Sequence, residues 1–166
     1  VKAVELDREA GRDILADKGL AAVFAQLEKL PGNASVQNTE IGSVIYANKP
    51  GDGSAREQAA SCQRVIGGLA NITQDYATKR YRSNVINWGM LPFHLKGEPA
   101  AFEVGDYIYV PEIRKALEGS LEAIPAYAVK AGGAVPMTLY CKPLTDEERE
   151  IIRCGCLINY NRARKR

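Results

Sequence analysis

One stretch of the sequence, residues 40–89, constrains the fold more than any other feature. It opens with Glu40–Ala47, an apolar segment rich in Val, Ile and Tyr that predicts a buried strand. A glycine-rich loop follows, and then a helical pattern over 54–66 that closes with two glycines. A short strand over 69–73 and a helix over 76–88 complete the stretch. This strand–loop–helix–strand–helix order is typical of an α/β domain with parallel strands.

The sequence on the amino-terminal side has a helical character. Apolar residues recur at helical spacing from residue 5 to residue 30, and Gly19 interrupts them, which predicts two helices. We therefore divide the chain into a helical N-terminal connection, residues 1–34, and a main domain, residues 35–166.

The sequence on the carboxyl-terminal side has strand patterns instead. Alternation over 102–110 and short apolar runs at 126–129 and 137–141 predict a more antiparallel, barrel-like portion. Thr145 followed by Glu148 predicts a capping box at the start of a final helix.

Composition excludes several classes of protein. No run of about 18 apolar residues, as a membrane helix requires, occurs in the 166 residues, and no secretory signal opens the chain, so we expect a cytoplasmic protein. The net charge of +2 is nearly neutral. A basic cluster at the end of the chain favours a solvated terminus over a nucleic-acid contact; it comprises Arg162, Arg164, Lys165 and Arg166.

The cysteines and the single histidine give little support for a metal site. With His94 alone and no C-x-x-C pair, the chain lacks the usual spacing of zinc ligands. We expect reduced, buried thiols at the four cysteines, Cys62, Cys141, Cys154 and Cys156. His94 follows an apolar run, so a structural role is favoured over that of a general base.

The loop before the helix over 54–66 is the best candidate for chemistry. Helix N-termini carry N–H groups without partners and partial positive charge, and therefore bind anions. Gly51 and Gly53 permit left-handed or close-approach backbone, and Arg56 can hold a carboxylate through two hydrogen bonds. A simpler interpretation stays open: Ser54 is an ordinary N-cap, and Arg56 forms a surface ion pair with Asp52 or Glu57. The loop matches neither a Walker A loop nor a G-x-G-x-x-G fingerprint.

A family resemblance adds to this interpretation. Residues 53–59, Gly-Ser-Ala-Arg-Glu-Gln-Ala, resemble the Gly-Ser-Ser-Arg-Glu-His-Ala signature of the aconitase superfamily swivel domain, which aconitases and isopropylmalate isomerases share. The similarity extends from about Ile41 to Tyr160 through Arg64, Gly67-Gly68, Ile72-Thr73, Tyr76-Ala77, Asn84, Gly89-Met90-Leu91-Pro92, residues 144–152 and residues 155–160.

The resemblance implies a fold and an activity. The expected fold is a swivelling β/β/α domain, an α/β domain with parallel and antiparallel strands and flanking helices. The expected activity is that of a hydro-lyase on a small hydroxy polycarboxylic acid. Ser54 matches the catalytic base, and Ala55 and Arg56 match positions that bind substrate carboxylates. Ala55 replaces a serine and Gln58 replaces a histidine, which indicates a divergent branch with altered substrate choice.

The resemblance also implies a cofactor and a partner. Family members hold a 4Fe-4S cluster on domains that precede the swivel domain, so we expect no cofactor on this chain. The partner would be the cluster-bearing N-terminal domains of the same polypeptide, or a large subunit; no membrane or nucleic-acid partner is expected. The chain opens at Val1 without the expected strand, which favours a C-terminal domain over a free-standing isopropylmalate-type small subunit.

An alternative from another class remains open. A binding or regulatory module, with RNA as a ligand, would keep the fold and lose the chemistry. Ala55, Gln58 and the basic terminus motivate this alternative.

Overall fold

The computed structural model describes residues 1–95, 97 and 100–165 as a mixed α/β structure built on one six-stranded sheet. In chain order the elements are α1 (Lys2–Glu9), a 3-10 turn (Ile14–Ala16), α2 (Lys18–Leu27), β1 (Ser43–Ala47), α3 (Arg56–Val65), β2 (Gly68–Thr73), α4 (Lys79–Asn87), β3 (Leu91–Leu95), β4 (Tyr107–Tyr109), α5 (Ile113–Ala116), β5 (Ile124–Lys130), β6 (Gly133–Tyr140), α6 (Asp146–Arg153) and α7 (Leu157–Arg164).

The sheet has a parallel half and an antiparallel half. Its strand order is β1-β2-β3-β6-β5-β4. β1, β2 and β3 run parallel, while β3–β6, β6–β5 and β5–β4 are antiparallel pairs. The predicted α/β class with both strand directions is therefore confirmed. The predicted barrel-like portion is wrong, because the second half continues the same open sheet.

β1 lies at one edge of the sheet, and the predicted buried strand over residues 40–47 is wrong in this respect. Val44, Ile45 and Tyr46 are 37%, 39% and 38% exposed. The strand pairs on one side only, with β2. Apolar, β-branched residues suit a strand whether it is central or at an edge, so composition alone did not reveal this position.

β3 is a central strand that the sequence patterns did not predict, because Pro92 lies inside it. Pro92 has no N–H group to donate to a ladder. β3 pairs with β2 over four residues but with β6 only at His94↔Tyr140 and Leu95↔Leu139. Among the residues that the structure describes, the two halves of the sheet therefore meet along a seam of two residue pairs, and Pro92 lies outside that seam.

The antiparallel half is formed mainly by the β5–β6 hairpin. It pairs over seven residues, from Ile124↔Leu139 to Lys130↔Gly133. The alternation over 102–110 yields only the three residues of β4. Before it the chain turns, since Asp106 accepts a hydrogen bond from the Glu103 N–H at 2.8 Å and Gly105 has a positive φ.

Helices cover both ends of the chain. The N-terminal break falls at Gly11, whose φ is +70°, and not at Gly19, which lies inside α2. Leu20, Phe24 and Leu27 on α2 pack in one core cluster with Tyr109 and Val129 of the sheet. The predicted capping box at Thr145 and Glu148 is present. The predicted final helix is two helices, α6 and α7, with Gly155 between them at a φ of +82°.

Candidate functional site

The loop between β1 and α3 lies at the carboxyl edge of the parallel strands, where open α/β sheets bind their ligands. Backbone hydrogen bonds fix the loop to the segment that follows β2. The Asn48 carbonyl accepts from the Gln74 and Asp75 N–H groups, at 3.2 and 3.0 Å. The Pro50 carbonyl accepts from the Ala77 N–H at 2.9 Å. The loop is thus held by three backbone hydrogen bonds before it reaches Ser54.

The two loop glycines have different roles. Gly51 has a φ of +97°, and a Cβ there would collide with the Tyr81 ring. The left-handed backbone that a glycine permits is therefore present at this position. Gly53 has no positive φ, and a Cβ there would meet open space. The fold therefore does not use the freedom that glycine permits at Gly53.

Helix α3 begins at Arg56, two residues later than predicted. Its N-cap is Ala55, whose methyl side chain cannot make a capping hydrogen bond. The interpretation of Ser54 as an ordinary N-cap is therefore wrong. The backbone N–H groups of Ala55 and Arg56 have no acceptor among the residues that the structure describes. Two donors at a positively polarised helix end are thus left available for an anion.

The Ser54 and Arg56 side chains are also uncommitted. Ser54 is exposed and Arg56 is half-buried. In the described part of the chain, no group hydrogen bonds to the Ser54 hydroxyl, and no carboxylate lies within ion-pair distance of the Arg56 guanidinium. The surface ion pair of Arg56 with Asp52 or Glu57 is therefore absent. We refer to Ser54, Ala55 and Arg56 as the α3 tip.

The carboxylate and the backbone N–H of Glu57 hydrogen bond to the side chains of Asn84 and Trp88. The Trp88 indole Nε1–H donates to Glu57 Oε1 at 2.6 Å. In the amide orientation that satisfies both of its groups, Asn84 donates from nitrogen to Glu57 Oε2 at 3.3 Å and accepts at oxygen from the Glu57 N–H at 3.0 Å. The only role that the sequence patterns offered Glu57 was a surface ion pair with Arg56. The only signal for these contacts was the presence of Asn84 in the family resemblance.

A polar cluster lies at the same edge of the sheet. His94, at the end of β3, is 0% exposed and packs between the rings of Tyr76 and Tyr140. Its Nε2 lies 3.9 Å from Asp75 Oδ1, and Lys142 Nζ lies 2.6 Å from the same oxygen. Burial lowers the pKa of His94, and the Lys142 charge lowers it further against the opposing effect of Asp75. His94 is therefore neutral at pH 7, enclosed by aromatic rings beneath an ion pair.

The thiols vary in exposure and form no disulfide. Cys141 is buried, and burial raises its pKa to about 12. Cys62 is exposed, whereas Cys154 and Cys156 are half-buried, so the prediction of buried thiols is confirmed only at Cys141. Across residues 1–95, 97 and 100–165, no three His, Cys, Asp or Glu side chains converge as metal ligands. The described residues of this chain therefore do not fit the cluster that the resemblance implies.

Two surface grooves lie away from the α3 tip. One, of about 490 Å3, is lined by Ile158, Asn161, Arg162 and Lys165 along α7. The other lies on the β5–β6 hairpin. Arg162 and Arg164 of the basic cluster lie on α7 and Lys165 follows it, while Arg166 is outside the described residues.

No helix in the described part of the chain is long and apolar enough to span a bilayer.

Comparison with known proteins agrees with the sequence resemblance. No curated protein sequence matches the chain. The family model described as the aconitase C-terminal domain matches residues 21–98, which include most of α2, the parallel half of the sheet and the α3 tip. Residues 21–98 are therefore similar to the aconitase C-terminal domain, and this similarity supports an aconitase-superfamily C-terminal domain in the chain.

Proposed function

We propose that this chain supplies a base and a carboxylate clamp to an aconitase-type hydro-lyase that acts on a small hydroxy polycarboxylic acid. One observation carries the proposal: the two polar side chains of the α3 tip and the N–H groups of Ala55 and Arg56 have no partner among the described residues. The Ser54 hydroxyl, the Arg56 guanidinium and the N–H groups of Ala55 and Arg56 lie together at one helix start. Such a set of donors suits an anionic substrate.

Each group of the α3 tip has a defined part in the proposed chemistry. Arg56 and the two backbone N–H groups bind a substrate carboxylate and fix the neighbouring carbon beside Ser54. Ser54, as an alkoxide stabilised by the helix end and the guanidinium, takes the proton from that carbon. The carbon's electron pair forms the double bond as the hydroxyl on the adjacent carbon leaves as hydroxide, and the cluster expected on the covering domains would supply the Lewis acid that accepts it. Ala55 contributes only its N–H, since it lacks a side-chain hydroxyl.

The exposure of Ser54 supports a site completed by another surface. A serine that acts as a base must work in a site from which water is excluded, because its alkoxide is strongly solvated in water. We propose that cluster-bearing domains, in the same polypeptide or in a large subunit, cover the α3 tip. The 4Fe-4S cluster would lie on those domains, and the part of this chain is confined to deprotonation and carboxylate binding.

Replacement of Ser54 tests the proposal. In the complete protein with its cluster-bearing domains, Ser54→Ala should lower kcat for dehydration of the hydroxy acid by at least about 100-fold, since it removes the base. Ser61→Ala is the matched control, because Ser61 is a half-buried serine of α3 whose side chain hydrogen bonds only to the Gln58 carbonyl. A kcat within about tenfold of the wild type for Ser54→Ala would exclude Ser54 as the base.

The alternative, a binding module, gives a different result in the same protein. A module of that kind would show no dehydration in the wild type and an RNA affinity that falls steeply with salt. Dehydration activity without a salt-dependent RNA shift would favour the hydro-lyase.

A further inference from the structure

The first turn of α3 is capped from another helix. Each α-helix leaves its first N–H groups without partners, and an N-cap side chain ordinarily accepts from one of them. Ala55 has no side-chain acceptor, and Ser54 makes no capping contact. The Glu57 N–H finds its acceptor on α4 instead, at the Asn84 amide oxygen, 3.0 Å away.

The contact between the two helices is reciprocal. While Asn84 accepts from the Glu57 N–H, its amide nitrogen donates to one carboxylate oxygen of Glu57, and Trp88 donates to the other. Trp88 is the C-cap of α4 and follows Asn84 by four residues, so the two side chains leave the helix on the same side. Hydrogen bonds to a carboxylate are stronger than those between neutral groups. The arrangement resembles a capping box divided between two helices.

Helix α4 is itself fixed to the loop that carries the α3 tip. Thr78, the N-cap of α4, donates its hydroxyl to the Gly51 carbonyl at 3.0 Å. The Tyr81 ring packs against Gly51, and the Tyr81 hydroxyl accepts from Asn71 of β2 at 3.0 Å. The α3 tip is thus held on both sides, at Gly51 and at Glu57, by the same helix.

We infer that Asn84 and Trp88 are positioning residues for the proposed active site. Through Glu57 they hold the first turn of α3 and take over its capping, which leaves the Ser54 hydroxyl and the Ala55 and Arg56 N–H groups for the substrate. This inference rests on the proposed function. Its kinetic consequence follows from the steep dependence of catalysis on geometry, since a displacement of about 1 Å can cost about 100-fold in rate.

Hydrogen exchange tests the contact without any need for activity. In the wild-type chain the Glu57 N–H should exchange at least about tenfold more slowly than the N–H groups of Ala55 and Arg56. Asn84→Ala should remove this protection. Ser83→Ala, a neighbouring change on α4 that removes only a hydrogen bond to the Lys79 carbonyl, should retain it.

Kinetics in the complete protein test the positioning role. Asn84→Ala should lower kcat/KM for the hydroxy acid by about 10- to 100-fold. Asp17→Ala is the matched control for lost stability. Asp17 caps α2 by accepting from Gly19 and Leu20, so its loss also removes a helix cap. The control variant should keep kcat/KM within about twofold of the wild type.

An exchanged pair distinguishes a specific contact from general damage. Asn84→Asp alone places two carboxylates face to face, and Glu57→Gln alone leaves one amide N–H group facing another. In the double variant, each hydrogen-bond donor of this contact again faces an acceptor. The new amide at position 57 donates to the new carboxylate at position 84, which accepts from the residue 57 N–H, while Trp88 donates to the amide oxygen. The double variant should recover most of the kcat/KM that each single variant loses.

Three outcomes are decisive. Unchanged protection of the Glu57 N–H in Asn84→Ala would overturn the inferred contact. Lost protection with kcat/KM unchanged, in a protein where Ser54→Ala is severely impaired, would overturn the positioning role and leave the proposed function standing. Ser54→Ala with full activity would instead overturn the proposed function together with the role inferred from it.

Discussion

Two glycines, two residues apart in one loop, differ in what their backbone requires. Gly51 has a left-handed φ and no room for a side chain beside Tyr81. Gly53 has neither constraint. This difference makes the pair an internal comparison, in which the same chemical change is made in one loop with opposite expected effects on stability.

Gly51→Ala should destabilise the fold by at least about 1 kcal/mol, because it combines a strained φ with a collision against Tyr81. Gly53→Ala should leave the free energy of unfolding unchanged or raise it by up to about 1 kcal/mol, since alanine restricts the unfolded chain. Urea unfolding followed by circular dichroism measures both. Equal losses in the two variants would contradict the different roles of the glycines.

At the residue scale, the sequence predicted the position of the α3 tip but not its contacts. Gly51 and Arg56 were identified from local patterns, because loop glycines and a helix start are local properties. The cap on Glu57 comes from Asn84, a residue of the next helix, and the pairing becomes visible only when α3 and α4 are packed together. For this reason the sequence alone leaves open the alternative that Ser54 is an ordinary N-cap.

At the element scale, α3 and α6 begin in opposite ways. α6 has a cap within its own sequence, where Thr145 accepts from the Glu148 N–H at 3.1 Å and Glu148 accepts from the Thr145 N–H at 2.8 Å. α3 has no cap in its own sequence. The same threonine or serine to alanine change should therefore affect the two helix starts differently.

Thr145→Ala should lower the free energy of unfolding by about 1 kcal/mol, the typical loss for an N-cap. Ser54→Ala should change it by less than about 0.5 kcal/mol, as for a surface substitution away from any cap. Chemical denaturation of the two variants and the wild type makes the comparison. A loss at Ser54 equal to that at Thr145 would show that Ser54 caps α3 after all.

The elements also differ in how far sequence patterns predict them. The α6 capping box was predicted because all of its groups lie within one turn of helix. β3 was not predicted, because a proline argues against a central strand. Pro92 is tolerated in such a strand only where its missing N–H group is not needed for a hydrogen bond to a neighbouring strand. The pairing of β6 with only His94 and Leu95 meets this condition, and it depends on residues far along the chain, Leu139 and Tyr140.

At the scale of the whole molecule, the single histidine links stability to pH. His94 is the only histidine of the chain, and burial holds its pKa below the ordinary value. As the pH falls below about 6.5, the unfolded chain takes up a proton that the folded chain does not, so the unfolded state is favoured. Stability is therefore highest above the unfolded pKa of His94, and it falls with acidification until the folded pKa is reached.

We expect the free energy of unfolding of the wild type to decrease from about pH 7 to about pH 5.5, and His94→Gln to flatten this dependence. The comparison uses the slope, so a uniform loss of stability in the variant does not affect it. The Asp75 carboxyl, with its pKa lowered chiefly by Lys142, titrates at a lower pH and outside this window. An unchanged slope in His94→Gln would contradict the assignment.

The two-pair seam between β3 and β6 also bears on the order in which the molecule assembles. Residues 43–95 complete the parallel half, including the α3 tip and the helix that holds it, before the chain continues to β4. The β5–β6 hairpin is likewise built from neighbouring residues. Since contacts between nearby residues cost little loop entropy, each half can form as a local unit during synthesis, with their junction as a late step. The proposed catalytic edge thus belongs to the half that is made first.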